Sequence, residues 1–597
     1  MKHRATFACL TAAFAVVTAG ANAEERDFRT ATPIKHLVVI FQENVSFDHY
    51  FGTYPNAQNL AGEMPFLASP RTPKSVNNLV TPLDVNNNFV ALAGLDLLNN
   101  NPNNNPAAPG NGNTNGTAAS NPFRLSPAQV LTADQGHNES PEESAYDNGK
   151  MDGFPAWVGT AGPPPVGFNN KALVMGYFDG NTVTALWNYA QHFALNDNNF
   201  TTQFGPSTPG AINLISGQAN GFDATLNVLS ATTPPTLLHS THEAFGDATQ
   251  LPSNITEIGD GDPLGDVCSN PTIDQVRMHG KNIGDLLNAK GITWGSFMGG
   301  FDLTITNPNG TTGCLRETNP TAPGTPASTS PDYIPHHAWF QYYASTSNLT
   351  HARPSSVAAV GHTLNPATNT PDPANHGYDI HDFFDALAAD NLPAVSFLKA
   401  PAFQDGHAGY SDPIDEQNFI VNVINTLQKS QEWSETAVVI LYDDSDGWYD
   451  HQMPPVVNPS SNPVVDTLNG PGKCLTSNGF QQDKPTPATP LNGAFGQPAW
   501  GRCGYGTRMP LLVISPFAKN NFIDHTLTDQ SSVLRFVEDN WLNGERIQLG
   551  GSFDTIAGSL NRMFDFDRRD EDEPRKLILD PTTGTVVSAT DHDDDRH

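Results

Sequence analysis

The sequence predicts an α/β fold: a central, mostly parallel sheet covered by helices, with long loop insertions. Short apolar runs rich in Val and Ile recur along the chain, and stretches of helical periodicity lie between them. The 597 residues also include 50 Gly and 49 Pro, enough for many turns and surface excursions, while a hydrophobic fraction of 38% suffices for a substantial core. Against 62 Asp+Glu stand 30 Lys+Arg, and the formal net charge of −32 repels phosphate backbones and anionic lipid at long range. No nucleic acid partner is expected.

The strand candidates, in order, are Leu37 to Phe41, Ala394 to Leu398, Val438 to Tyr442 and Leu511 to Ile514. Each is a short apolar run followed by polar or glycine-bearing residues, the pattern of a buried parallel strand. Helical spacing is carried by Ile283, Leu286 and Leu287, by Phe419, Ile420, Val423, Ile424 and Leu427, and by Val533, Leu534, Phe536 and Val537. In such sheets ligands gather beyond the carboxyl ends of the strands, so the polar residues after each run are the ones to inspect. The stretch 96–118 is rich in Asn and Pro and offers little apolar area to offset chain ordering, so a mobile surface insertion is expected there. Residues 567–597 read as a charged, solvated tail.

Lys2 and Arg4, the apolar run Phe7 to Val17 and the small-residue stretch Ala21-Asn22-Ala23 form a secretory signal over residues 1–23. The run is too short to cross ~30 Å of hydrocarbon, so no stable membrane anchor is expected and the address is periplasmic or secreted. A single catalytic domain over 24–566 follows. Of the five cysteines Cys9 lies in the signal, and the remaining four suggest two disulfides, most simply Cys268 with Cys314 and Cys474 with Cys503. A zinc site is the competing reading, though no pair has close ligand spacing.

Glu43 and Asn44 follow the first strand and offer two hard oxygen ligands for a divalent cation; the same pair could instead cap the next helix. After the strand ending at Tyr442 come Asp443, Asp444, Asp446 and Asp450. Adjacent carboxylates in a half-buried setting call for positive charge between them, and a solvated turn is the alternative. In Gly205-Pro206-Ser207-Thr208-Pro209-Gly210, Pro209 suits a first helical turn and places Ser207 near a helix N-terminus, where it is a candidate nucleophile or an ordinary N-cap. His137, the pair His336-His337, and His407 could donate to phosphate oxygens or protonate a leaving group.

The segment Glu43 to Pro55, the Gly205-Pro206-Ser207 turn, Pro335 to Tyr343, the Asp443 to His451 group and Ser552 to Leu560 occur in one order. In this the chain resembles, from about Ile34 to Phe566, the bacterial secreted phosphoesterases that include phosphatidylcholine-preferring phospholipases C and respiratory-burst-inhibiting acid phosphatases. The resemblance implies an alkaline-phosphatase-like fold and hydrolysis through a phosphoenzyme with one divalent metal ion, which oxygen ligands leave open among Ca, Mg, Mn, Fe and Zn. It implies Ser207 as nucleophile, with Glu43, Asn44, Asp443, Asp444 and the Ser207 oxygen as metal ligands, and His137, His337 and His407 around the phosphate. Val45 departs from the Arg common in the family after Glu-Asn. Ser rather than the phospholipases' usual Thr at 207, and the short stretch after Phe566 where long phospholipases carry β-domains, tilt the expectation toward a broad acid phosphatase acting on small phosphate monoesters. A phospholipase C acting on phospholipid headgroups is the alternative, for which Trp448 and Tyr449 beside Asp446 and Asp450 could form an aromatic cage around choline, and an inactive surface-binding module is a third reading from another class.

Overall fold

The computed structural model describes residues 29–82, 96–110, 113–114, 118–160, 171–221, 244–245, 256–272, 275–455, 457, 504–547, 552–567 and 573–590. The expected signal and the Cys474–Cys503 pair lie outside these residues. Cys268 and Cys314 are joined by a disulfide.

Nine strands form the central sheet among the described residues. They are β1 (His36–Gln42), β2 (Ala194–Phe200), β3 (Trp294–Met298), β4 (Gly377–Asp379), β5 (Val395–Lys399), β6 (Thr436–Tyr442), β7 (Arg508–Ile514), β8 (Phe522–Asp524) and β9 (Thr528–Asp529). The spatial order is β4-β3-β5-β1-β6-β7-β2-β8, with β9 also paired to β2. The central strand β1 runs parallel to β5 and β6, and its side chains are buried from Leu37 to Gln42, which explains the continuous apolar run.

Two features of the sheet differ from the expectation. The run Leu511 to Ile514 is not a parallel strand: β7 lies antiparallel to both β6 and β2. Its reversal brings its first residue, Arg508, level with Phe200 at the carboxyl end of β2. Strand β2 itself, Ala-Leu-Asn-Asp-Asn-Asn-Phe, is buried throughout although it carries little apolar signal. Side-chain pairing satisfies it: Asn196 Nδ2 donates to Thr526 O, Asn198 Nδ2 to His525 O, and Asn199 Oδ1 accepts from Thr528 Oγ1, at 2.9, 3.0 and 3.1 Å.

Eight helices frame the argument: α1 (Phe47–Phe51), α2 (Glu139–Tyr146), α3 (Thr184–His192), α4 (Ser207–Ser216), α5 (Ile283–Lys290), α6 (Ile380–Ala388), α7 (Pro413–Leu427) and α8 (Ser532–Trp541). Helix α7 shows why they form. Asp412 caps it by accepting from Ile414 N and Asp415 N, Pro413 takes the first turn, and Phe419, Ile420, Val423, Ile424 and Leu427 pack into the main core.

Two stretches read as solvated carry buried residues. Asn101 and Asn103 are buried: Asn103 Nδ2 donates to Met151 O at 2.6 Å and its Oδ1 accepts from Phe154 N at 2.9 Å, while Asn101 Nδ2 donates to the Tyr449 hydroxyl at 3.0 Å. Amide hydrogen bonds do here what apolar area does elsewhere. Beyond residue 566 lies a hairpin, β10 (Lys576–Leu579) with β11 (Val586–Thr590), whose Leu577 and Leu579 join the core. Gln428 Nε2 and Asn425 Nδ2 at the end of α7 donate to Leu577 O and Leu579 O.

Candidate active site

Strands β1 and β6 are paired to their last residues, Gln42 against Tyr442, so Glu43-Asn44 and Asp443-Asp444 leave the sheet side by side. Asn44, at φ 63°, donates its backbone N–H to Asp443 Oδ1 at 2.9 Å, and Val45 N donates to Asp444 O at 3.0 Å. Neither Glu43 nor Asn44 caps the next helix; Ser46 does, accepting from His49 N. Nor is the acidic run a solvated turn, since Glu43, Asn44, Asp443 and Asp444 are each 1% exposed.

Strand β2 leads through Thr201–Pro206 into α4, where Pro206 is the N-cap and Ser207 the first helical residue. The Ser207 side chain caps nothing. Its Oγ stands 3.0 Å from both Glu43 Oε2 and Asp444 Oδ2, to one of which its hydrogen is donated. Gly210 permits the approach, because a Cβ there would lie 2.4 Å from Asp443 O. Gln530 Nε2, donating to the same carbonyl at 2.6 Å, holds it beside Gly210.

Oxygens of Glu43, Asp443 and Asp444 come within 4.8 Å of one another. Asn44 Oδ1 and Asp443 Oδ2 are buried beside them with no donor. Two buried acceptors without donors, on residues at a cluster of carboxylate oxygens, supply the hard ligands that a divalent cation takes. Burial, reinforced by neighbouring Asp443, pushes the Glu43 and Asp444 carboxyls well up. Burial also pushes Asp443 up, but the Lys399 ammonium and the bonds from Glu43 and the Asn44 and Asp444 backbone N–H groups outweigh it and hold the carboxyl below its ordinary value.

Three histidines border this cluster. His337 Nδ1 lies 3.2 Å from Glu43 Oε1, and its Nε2 is buried without a partner. Burial and the adjacent His336, Lys399 and His407 keep it neutral by pushing its pKa well down. His137 Nδ1 lies 3.2 Å from Asp446 Oδ1 and 2.9 Å from Gln135 O. Burial opposes its charge, but Asp444, Asp446 and Asp134 prevail and raise its pKa well above the usual histidine value. His407 packs 6.3 Å from His137, ring centre to ring centre, and its Nδ1 contacts Ala408 O; burial lowers its pKa. The structure thus gathers Glu43, Asn44, Ser207, Asp443, Asp444, His137, His337 and His407 at one end of the sheet.

Sequence reasoning missed three neighbours and the role of a fourth. Lys399, the last residue of β5, is buried against Glu43 Oε1. Asp405 accepts from His407 N at 3.0 Å, and its backbone carbonyl accepts from Glu43 N. Glu142 on α2 accepts from Gly205 N at 2.9 Å and Ser445 Oγ at 2.6 Å. Asp446 touches both Asn44 and His137. The signal for Lys399 was available, being a charged residue directly after the apolar run ending at Leu398. By contrast, Trp448 and Tyr449 form no open cage: Trp448 is stacked on His49 at 4.0 Å and Tyr449 lies in a second apolar core with Phe154 and Phe204. Val45 is buried in the main core.

The profile of the family described as phosphoesterase matches residues 34–542. The chain belongs to the phosphoesterase family. Among curated relatives of this family member, the non-hemolytic phospholipase C of Pseudomonas aeruginosa is 32% identical over 34% of this chain and 28% of its own length. Phospholipase C A of Mycobacterium tuberculosis is 24% identical over 31% and 32%, and non-specific phospholipase C3 of Arabidopsis thaliana 30% identical over 21% and 19%. The chain thus spans about a third or less of these relatives. Among solved structures, murine ectonucleotide pyrophosphatase/phosphodiesterase 5 aligns over 64% of this chain and 95% of its own at 12% identity and TM-score 0.25. An alkaline phosphatase superfamily protein of Vibrio parahaemolyticus aligns over 77% and 74% at 10% identity and TM-score 0.24. No described helix is long and apolar enough to cross a membrane.

Proposed function

We propose that this chain is a metal-dependent phosphoric ester hydrolase in which Ser207 Oγ attacks phosphorus and the cation is held by Glu43, Asn44, Ser207, Asp443 and Asp444. The observation that carries the reading is the Ser207 hydroxyl at the start of α4, 3.0 Å from two carboxylates of a buried acidic cluster and serving no cap. When bound, the cation lowers the pKa of the hydroxyl and takes up charge on the transferring phosphoryl group. Ser207 gives its proton to a carboxylate it touches, and its Oγ–P bond forms as the ester P–O bond breaks. The departing oxygen takes a proton from His137, kept cationic by its acidic neighbours. The Nε2 of His337, buried without a partner, carries the ring's proton in this reading and donates a hydrogen bond to a phosphoryl oxygen. Water then cleaves the phosphoserine and releases phosphate.

The substrates under this reading are small phosphate monoesters, as for a broad acid phosphatase; the burial of Trp448 and Tyr449, which removes the choline cage, favours them. A phospholipase C is the second reading, favoured by the names of the curated relatives. The leader read in residues 1–23 supports an address in the periplasm or outside the cell. Hydrolysis of p-nitrophenyl phosphate and of p-nitrophenyl phosphorylcholine, each with and without chelator, tests the proposal. Faster turnover of the monoester, abolished by chelator, is expected. Faster turnover of the choline diester establishes the phospholipase reading, and hydrolysis of neither leaves a binding module.

A further inference from the structure

We infer that Asp446 is the positioning residue that aims both the amide ligand Asn44 and the imidazole of His137 into the site. The inference rests on the metal and phosphate reading above and extends it to a residue that touches neither group.

Asp446 is fully buried and takes up the left-handed conformation at φ 54°, which bends the chain so that its backbone and its side chain both turn back on the site. Its Oδ1 has three neighbours. Asn44 Nδ2 donates to it at 3.3 Å, Gln135 N donates at 3.1 Å, and His137 Nδ1 stands 3.2 Å away. Its backbone N–H donates to Asp444 Oδ1 at 2.6 Å.

Each contact fixes an atom whose other end matters. An amide has one oxygen and one NH₂, so occupying Asn44 Nδ2 leaves Oδ1 as the atom turned the other way, and Oδ1 is the buried acceptor without a donor. Holding Asp444 by Oδ1 leaves Oδ2 at the Ser207 hydroxyl. Engaging His137 at Nδ1, between Asp446 Oδ1 and the Gln135 carbonyl, fixes the ring and leaves Nε2 for substrate. Groups behind a ligand that set its orientation typically change metal affinity by about 10–100-fold when removed.

The test is titration calorimetry with Mn²⁺ and with Ca²⁺ on wild type, Asp446→Gly, Asp446→Asn, Asn44→Gly and the double variant Asn44→Gly/Asp446→Gly. Both positions have positive φ, so glycine introduces no backbone strain, and Asn at 446 preserves the fold and the Oδ1 acceptor. Asp446→Gly should weaken cation binding about 10–100-fold. Asp446→Asn should recover most of that affinity, because Asn44 Nδ2 needs only the oxygen. In the Asn44→Gly background, deleting Asp446 should cost little more, since the two act on one bond. A second cycle with His137→Ala, read as orthovanadate affinity, should be non-additive in the same way. Unchanged affinity in Asp446→Gly, or strictly additive losses in both cycles, would overturn the inference. Failure of the underlying reading looks different: Asp443→Asn would then keep its full cation stoichiometry, whatever Asp446 does.

Discussion

Glu142 is a carboxylic acid sealed inside the protein, and replacing it with Gln should change how stability depends on pH. Burial raises its pKa from 4.5 to about 7, although Ser445, Gly205 and His137 favour its charge. Between these values the native state holds a proton that the unfolded chain has released, so stability falls as pH rises from 4.5 through 7. The 2.5-unit gap multiplied by 1.36 kcal/mol per unit gives a loss of about 3 kcal/mol by pH 8. Glu142→Gln mimics the neutral acid, with an amide oxygen for Gly205 N and an NH₂ for Ser445 Oγ, and carries no titration at this position. Urea unfolding of both proteins from pH 4.5 to 8 isolates the effect, because groups remote from Glu142 titrate equally in the two. The stability difference, variant minus wild type, should grow by about 3 kcal/mol across the range. A constant difference at all pH values would refute the reasoning.

Asp443→Asn should lose cation and turnover together while retaining its far-ultraviolet circular dichroism, as elemental analysis of the purified variant will show. Ser207→Ala should lose about three or more orders of magnitude in turnover yet still bind orthovanadate, while Thr208→Ala keeps a phosphorylatable hydroxyl; acid trapping of a phosphopeptide identifies the position. Asn103→Ala leaves Met151 O and Phe154 N without their partners and should destabilise the protein by about 1–3 kcal/mol in urea unfolding.

The catalytic edge was legible in the sequence where apolarity marked the strand before it. Leu37 to Phe41 and Val438 to Tyr442 announce buried strands, and the acidic groups that follow them fall where parallel sheets place ligands. Strand β2 was illegible because its interior is amides and a carboxylate paired to side chains and carbonyls from β8, β9 and the segment between them, and such pairing leaves no hydropathy trace. The same chemistry hid Asn101 and Asn103. The direction of β7 was also beyond the pattern, since an apolar run reads alike in either sense. Asp446 was read only as part of the acidic run, because its contacts with residues 135 and 44 and its left-handed backbone are encoded by no local spacing.

The ladder between β1 and β6 has a consequence for how such a protein diversifies. Glu43 and Asp443 are four hundred positions apart, but their separation in space is set by one step across a sheet, roughly 4.8 Å, and by a register of seven paired residues. Loops lengthened or shortened between the elements from residue 53 to residue 394 need not alter that step. Loops can therefore be exchanged to admit new leaving groups while the reacting centre keeps its dimensions. A change of one residue in register, by contrast, would swap the faces of the strand and dismantle the centre at once.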